Sequence, residues 1–111
     1  LTLELGTPNA CASCHAERGA AWAVEAIRSW RSGPGAERVP YARAIDAGRR
    51  AALDAEPRLL ALAGDRSSPA IARATAWRLL PGLATRRSAE ALDAALRDPE
   101  PLVRIAALEA L

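Results

Sequence analysis

The sequence predicts an all-α protein, and three observations support this. Alanine is the commonest residue and aromatic side chains make up only 4% of the chain, which favours closely packed helices. Apolar residues recur at three- and four-residue steps between short breaks rich in Pro and Gly. The C-terminal half aligns with itself at a period of about thirty residues, with two helices in each period. We therefore predict an α-α superhelix of helical repeats, preceded by a helix that carries a Cys-x-x-Cys-His motif.

Length and composition restrict the class of protein. A chain of 111 residues, 50% hydrophobic and 25% charged, has the size and balance of one globular domain or a piece of a larger one. Its net charge of +2 is too small to indicate a nucleic-acid partner. No apolar run is long enough to span a bilayer, and no signal-like segment precedes the cysteines. Because the chain starts at Leu1 and stops at Leu111 within a helical pattern, we expect a fragment or a processed product.

The first predicted helix follows a short lead-in. Residues 1–8 are predicted to be extended, and Asn9 has the side chain of a helix N-cap. Strong helix formers then continue from Ala10 to about Ser32. The Gly and Pro residues of segment 32–35 end this helix and form the clearest linker in the sequence. The prediction is therefore a motif segment, residues 1–35, followed by helical repeats over residues 36–111, the two forming one continuous structural unit of a longer protein.

Proline, glycine and serine divide the remainder into shorter helices. Ser68 before Pro69 is predicted as an N-cap, Ser88 is predicted to open a helix, and Asp98-Pro99 opens the last one. The predicted helices begin at Pro40 (with an apolar face that reaches Ala52) and at Arg58 (to Ala63), Ala70 (to Leu80), Ser88 (to Arg97) and after Pro99 (to Leu111).

The last four helices align as two pairs. Placing Asp65 on Asp98 matches Leu59 with Leu92, and a connection shortened by two residues then brings later positions into register. The further matched positions are Ala63 with Leu96, Ala72-Arg73 with Val103-Arg104, Ala76 with Ala107, and Leu80 with Leu111. This spacing is typical of an α-solenoid.

One pentapeptide, Cys11-Ala12-Ser13-Cys14-His15, contains both cysteines and the only histidine of the chain. The order Cys-x-x-Cys-His marks covalent attachment of a c-type haem, in which two thiols bind the haem vinyl groups and the imidazole binds the iron. On a helix, positions 11, 14 and 15 share one face. The sequence therefore predicts a haem c site at Cys11, Cys14 and His15, with His15 as the iron ligand.

Two other kinds of site use the same residues. A Cys-x-x-Cys pair near a helix N-terminus can cycle between a dithiol and a disulfide, although the usual strand-helix-strand context is missing. A zinc site needs a fourth ligand besides the two cysteines and the histidine, and Glu17 is the nearest candidate.

Other side chains are candidates for weaker roles. Trp22 lies two turns beyond His15 and is the aromatic residue expected nearest to the motif, while Arg18 is a candidate partner for a haem propionate. Both also fit ordinary helix positions. Trp30, Tyr41 and Trp77 are also candidates to flank a haem, but helical spacing favours a place in the core. The charged residues are interpreted as solvated faces without acid–base chemistry: Arg49-Arg50, Arg86-Arg87, Asp46, Asp54 and Glu56.

The chain resembles known families at two levels. The segment from Asp98 to Leu111, with its Asp-Pro cap and Val103-Arg104 pair, resembles the second half of a HEAT-type repeat, and the likeness covers residues 54–111. The motif at 11–15, followed by a Trp-containing helix and helical repeats, resembles bacterial multihaem c-type cytochromes with HEAT or tetratricopeptide-like repeats. The resemblance implies covalent haem c on Cys11 and Cys14, iron ligation by His15, and electron transfer in the periplasm or another extracytoplasmic space.

The resemblance also implies partners: a redox protein or other haem segments of a longer chain. This sequence departs from the family in having one motif, a single histidine and no methionine, so it supplies no usual sixth ligand for the iron. A piece made without the attachment machinery would carry no haem. A second hypothesis is a non-catalytic HEAT-like scaffold that binds a protein partner, with a disulfide-forming or vestigial cysteine pair. No catalytic constellation is evident, and enzymatic activity stays undecided.

Overall fold

The computed structural model describes residues 1–30 and 40–111, and in this part of the chain every regular element is helical, which confirms the all-α prediction. The eight α-helices within these ranges are α1 Thr2–Leu5, α2 Cys11–Cys14, α3 Gly19–Trp30, α4 Pro40–Arg49, α5 Ala55–Gly64, α6 Ala70–Leu79, α7 Arg86–Leu96 and α8 Pro101–Glu109. Short 3₁₀ turns occupy Ala16–Arg18 and Pro81–Leu83. None of the helices in the described ranges is long and apolar enough to cross a membrane.

Two compact units divide the chain, residues 1–39 and residues 40–111. The boundary predicted between residues 35 and 36 and the linker at 32–35 lie outside the described residues. Within residues 1–30, α1 and α2 both contact α3, but Ala23 is the only fully buried residue of this range. The first unit therefore has little core of its own.

Two predictions for the first unit are wrong. Residues 1–8 are not extended throughout, because α1 forms one helical turn that ends at Gly6. The single helix expected from Ala10 is interrupted: α2 ends at Cys14, a 3₁₀ turn follows, and α3 begins at Gly19. Gly19 has φ +72° and ψ 172°, a backbone conformation that favours glycine. The chain therefore changes direction between α2 and α3.

The second unit contains one apolar core. Helix α4 contacts α5 and α6, α5 contacts α6, α7 contacts α8, and α6 lies against α8. The most completely buried large side chains are Leu59, Leu80 and Val103. Small residues allow these helices to approach closely, as at Gly48, where an added Cβ would lie 2.9 Å from Leu59 Cδ1. The alanine-rich composition therefore matches the observed close packing.

The helix boundaries of the second unit agree with the sequence more closely than their caps do. Helix α5 begins at Ala55, three residues before the predicted start. Ser68 is not the cap of α6, because its hydroxyl donates to Asp65. Helix α7 begins at Arg86 with Thr85 as its cap, and Ser88 is the reciprocal partner in a capping box. The hydroxyl positions were therefore recognised as helix starts, but the capping residue was misassigned.

The two aspartates aligned by the sequence occupy similar turns. Asp65 Oδ1 accepts the backbone N–H of Ser67 at 2.9 Å, and Asp98 Oδ1 accepts that of Glu100 at 3.0 Å. Each carboxylate thus closes the loop that precedes a helix, α6 in one case and α8 in the other. The alignment at these two positions corresponds to an equivalent local structure.

A buried ion pair links α6 to the loop before α8. Arg73 donates from Nη1 and Nη2 to the two carboxylate oxygens of Asp98, and from Nε to the carbonyl of Ala63 at 3.1 Å. Both side chains are almost fully buried. The hydrogen bonds from Arg73 hold the pKa of Asp98 below its ordinary value, more than offsetting the effect of burial. The sequence alignment identified both positions, but not their contact.

Candidate functional site

The cysteine-histidine motif forms one short turn with a side-chain cap. Asn9 Oδ1 accepts the backbone N–H of Ala12 at 3.1 Å, as predicted for a helix start at this position. The N–H of His15 donates to the carbonyl of Cys11 at 2.9 Å and closes the turn. His15 itself has φ −125° and ψ 47°, outside the helical region. The expectation that His15 shares a helix face with Cys11 and Cys14 is therefore wrong, because α2 ends one residue too early.

All three candidate side chains of the motif are accessible. Both cysteines are free thiols, with Cys11 half-buried and Cys14 exposed, and His15 is also exposed. Free, accessible thiols can react with vinyl groups, and an accessible imidazole can bind a metal. The donor set therefore fits covalent haem with one axial histidine.

His15 contacts the side chain that the sequence places nearest to it. The ring centroids of His15 and Trp22 are 4.7 Å apart, and the ring planes are tilted by 57°. The guanidinium carbon of Arg18 lies 5.5 Å from the centroid of Trp22. Because Gly19 redirects the chain between these residues, the first turn of α3 brings the indole to the motif. Trp22 thus holds an aromatic contact with the predicted iron ligand.

The other aromatic residues divide between core and surface. Trp77 is buried and Tyr41 packs against the same core, as the core interpretation predicts. Trp30 is 73% exposed, so that interpretation is wrong for this residue. No residue among 1–29 covers the Trp30 side chain on helix α3. Of the four aromatic side chains, Trp22 alone is in ring contact with the histidine.

Glu17 is not arranged as a zinc ligand. Its carboxylate lies 3.6 Å from Arg18 Nε in an exposed ion pair. Among residues 1–30 and 40–111, no group of three or more His, Cys, Asp or Glu side chains is placed to hold a metal ion. A compact site of Cys11, Cys14, His15 and Glu17 therefore receives no support from the structure. An axial haem ligand is a single protein donor and does not require such a group.

The charged residues of the second unit have local structural partners. Asp46 pairs with Arg50, Asp54 with Arg58, and Arg86 with Glu90, in each case four residues apart on an exposed helix surface. Glu56 accepts hydrogen bonds from the N–H and hydroxyl of Thr85, and these bonds lower its pKa.

Comparison with known proteins gives no relative for this chain: no family model, no curated protein and no solved structure matches it. The functional assignment accordingly depends on the motif chemistry and the contacts described above.

Proposed function

We propose that residues 1–30 form a covalent attachment segment for haem c and that the protein transfers electrons. The observation that carries this proposal is the presence of two free thiols and an accessible imidazole within five residues, at Cys11, Cys14 and His15. Bound haem would supply a one-electron redox couple whose potential depends on the axial ligand and its surroundings. Thioether formation would use the two cysteines, and His15 would ligate the iron.

Trp22 supports the same assignment through its contact with His15. An indole 4.7 Å from the imidazole centroid restricts the orientations available to that ring. Arg18 contributes a positive charge on the same stretch of chain, which suits it to the carboxylate groups that haem carries. In this proposal Trp22 would orient the imidazole of His15, and Arg18 would pair with a propionate.

We further propose that the second unit is a scaffold of HEAT-like repeats. The helix pairs α5–α6 and α7–α8, the contact of α6 with α8, and the similar turns at Asp65 and Asp98 support this reading. Proteins with such repeats commonly present surfaces to other proteins. A redox protein or another haem segment is the proposed partner, and c-type attachment would place the protein in the periplasm or another extracytoplasmic space.

The alternative function, a protein-binding scaffold without haem, is favoured by exposed apolar side chains on α8, including Ile105 and Leu108. The two functions make different predictions for the cysteines, because the scaffold needs neither thiol.

The decisive experiment is to express this chain in a periplasm with the c-type haem attachment machinery. Covalent haem gives a Soret band that survives acid-acetone extraction and a mass increase of one haem. A Cys11→Ala, Cys14→Ala variant is expected to lose both signals, and His15→Ala is expected to change the ligation spectrum. Ser13→Ala, within the same turn, is the matched control and should retain haem. A colourless, folded wild-type protein would overturn the haem proposal and leave the scaffold function.

A further inference from the structure

The outer face of α8, defined here as Arg104, Ile105 and Leu108, repeats a face that is buried on α6. The alignment of Ala72-Arg73 with Val103-Arg104 makes Ala74 equivalent to Ile105 and Trp77 equivalent to Leu108. Ala74 and Trp77 are buried, whereas Ile105 is 49% and Leu108 58% exposed. Equivalent helix positions are thus buried on α6 and exposed on α8.

On α6 the covering element is the next helix pair. Arg73, on the same face as Ala74 and Trp77, bonds Asp98 in the loop that leads into α8. Helix α6 lies directly against α8, and Arg78 pairs with Glu109 across the same contact. The face of α6 that contains Arg73 is therefore directed toward α8 and its preceding loop.

Arg104 has the position of Arg73 but a different set of partners. Arg73 reaches a carboxylate and one carbonyl, whereas Arg104 donates to the carbonyls of Asp98 and Pro99, at 2.7 and 3.0 Å. Arg104 is half-buried, and no ion pair joins it to a carboxylate within the described ranges. A cationic group beside two exposed apolar side chains is complementary to an aspartate followed by an apolar helix.

We propose that the outer face of α8 binds an antiparallel helix pair of the α7–α8 kind. The partner's second helix presents small apolar residues to Ile105 and Leu108, and the loop before that helix carries an aspartate that pairs with Arg104. This inference rests on the proposed repeat scaffold and is independent of the haem proposal, because the surface lies wholly within the second unit. A helix that ended a stack in water would instead have a polar outer face.

A second copy of the chain does not supply this partner through its described helix pairs. The buried residues of α8 include Val103, Ala106 and Ala107, which are covered within each copy by its own helices. Asp98 is likewise already bonded to Arg73. The complementary surface of one copy is thus occupied by its own α6.

The test is to extend the full chain by a second copy of residues 81–111, attached after Leu111. This junction places the added Asp98 twenty-five residues after Arg104. Arg73 and Asp98, which pair in the original chain, are separated by the same number of residues. We expect the melting temperature to rise by about 10 °C and amide exchange in α8 to slow at least about tenfold. Asp98→Asn in the added copy only, or Ile105→Glu with Leu108→Glu in the original α8, is expected to remove most of this gain.

Ile71→Glu is the matched control, because Ile71 is 60% exposed on α6 and lies outside the proposed contact; the gain should persist in it. An added segment that stays unfolded, or a gain unaffected by the α8 substitutions, would overturn the proposal. Sedimentation of the unextended chain provides the second measurement. A dimer that Leu108→Glu dissociates and Ile71→Glu does not would make a second copy the occupant, and would also overturn it.

Discussion

Asp98 combines two roles that are usually separate, because its carboxylate both closes a turn and neutralises a buried arginine. Oδ1 accepts the N–H of Glu100 at 3.0 Å, and both oxygens accept hydrogen bonds from Arg73. Removing it leaves a buried guanidinium without a counter-charge. We expect Asp98→Ala to lower the free energy of unfolding by about 3 kcal/mol, measured by urea denaturation.

Asp93 provides the control for this prediction, since it also pairs with an arginine, Arg97, but on an exposed surface. Asp93→Ala should cost less than about 1 kcal/mol. Equal losses for Asp93→Ala and Asp98→Ala would contradict the importance assigned to the buried pair.

The same carboxylate makes stability depend on pH. Hydrogen bonds from Arg73 hold the pKa of Asp98 below its ordinary value of 3.8, so the unfolded chain binds this proton more readily than the folded chain does. Its contribution is complete above about pH 5 and is lost as the pH falls below about 4 toward the lowered pKa. We expect the urea midpoint to fall with acidification, and less steeply in Asp98→Asn. Identical slopes for variant and wild type would refute this role.

Trp22 offers a test of the motif's geometry without any cofactor. Its indole lies 4.7 Å from the ring centroid of His15, close enough to shift the imidazole proton resonances through the aromatic ring current. Trp22→Leu should move these resonances toward the values of an unstructured histidine in an NMR spectrum. Trp30→Leu changes an exposed indole on the same helix and should leave them unchanged. Unmoved His15 signals in Trp22→Leu would exclude the contact in solution.

Among the helices, α7 has the most complete cap. Thr85 Oγ1 accepts the N–H of Arg87, Ser88 Oγ accepts the N–H of Thr85, and Glu56 accepts from the Thr85 hydroxyl. We expect Thr85→Ala to lower the free energy of unfolding by about 1 kcal/mol, and Thr85→Ser to restore most of it. The comparison in urea denaturation is Thr75→Ala, which removes a hydroxyl bonded inside α6. A similar loss in Thr75→Ala would argue against a specific capping effect.

Periodicity and breaker residues predicted the helices of the second unit well where the break contains proline, as at Pro69, Pro81 and Pro99. The break at residues 50–54 contains neither Pro nor Gly, and there the end of α4 and the start of α5 were misplaced. The helix boundaries of the first unit were harder to predict. Strong helix formers on both sides of His15 suggested a continuous helix, yet α2 ends there and Gly19 starts a new direction. A single glycine within a helical pattern does not show in advance whether it adopts a positive φ.

The residues of the candidate site could be predicted from the sequence, but their contacts with other side chains could not. Cys11, Cys14 and His15 follow from a five-residue spacing that is independent of the fold. The contact of Trp22 with His15 depends on the turn at Gly19, and the pairing of Arg73 with Asp98 depends on how α6 meets α8. Contacts between elements are set by tertiary packing, which one sequence does not specify.

At the scale of the whole chain, buried apolar residues are concentrated in the second unit. Leu59, Leu80 and Val103 are fully buried there, whereas Ala23 is the single fully buried residue in the described part of the first unit. We expect hydrogen exchange to be slowest in α5, α6 and α8 and fastest in α1–α3. Covalent haem should then slow exchange in α2 and α3 selectively. Uniform protection before attachment would contradict the unequal cores.

The indole of Trp77 is enclosed in the core, and its Nε1 has no hydrogen-bond partner within the described residues. An indole without polar contacts in an apolar site fluoresces at shorter wavelength than one in water, such as the exposed Trp30. The three tryptophans therefore give the two units separate optical signatures. Loss of the blue-shifted emission of Trp77 during urea denaturation would therefore report the unfolding of the second unit.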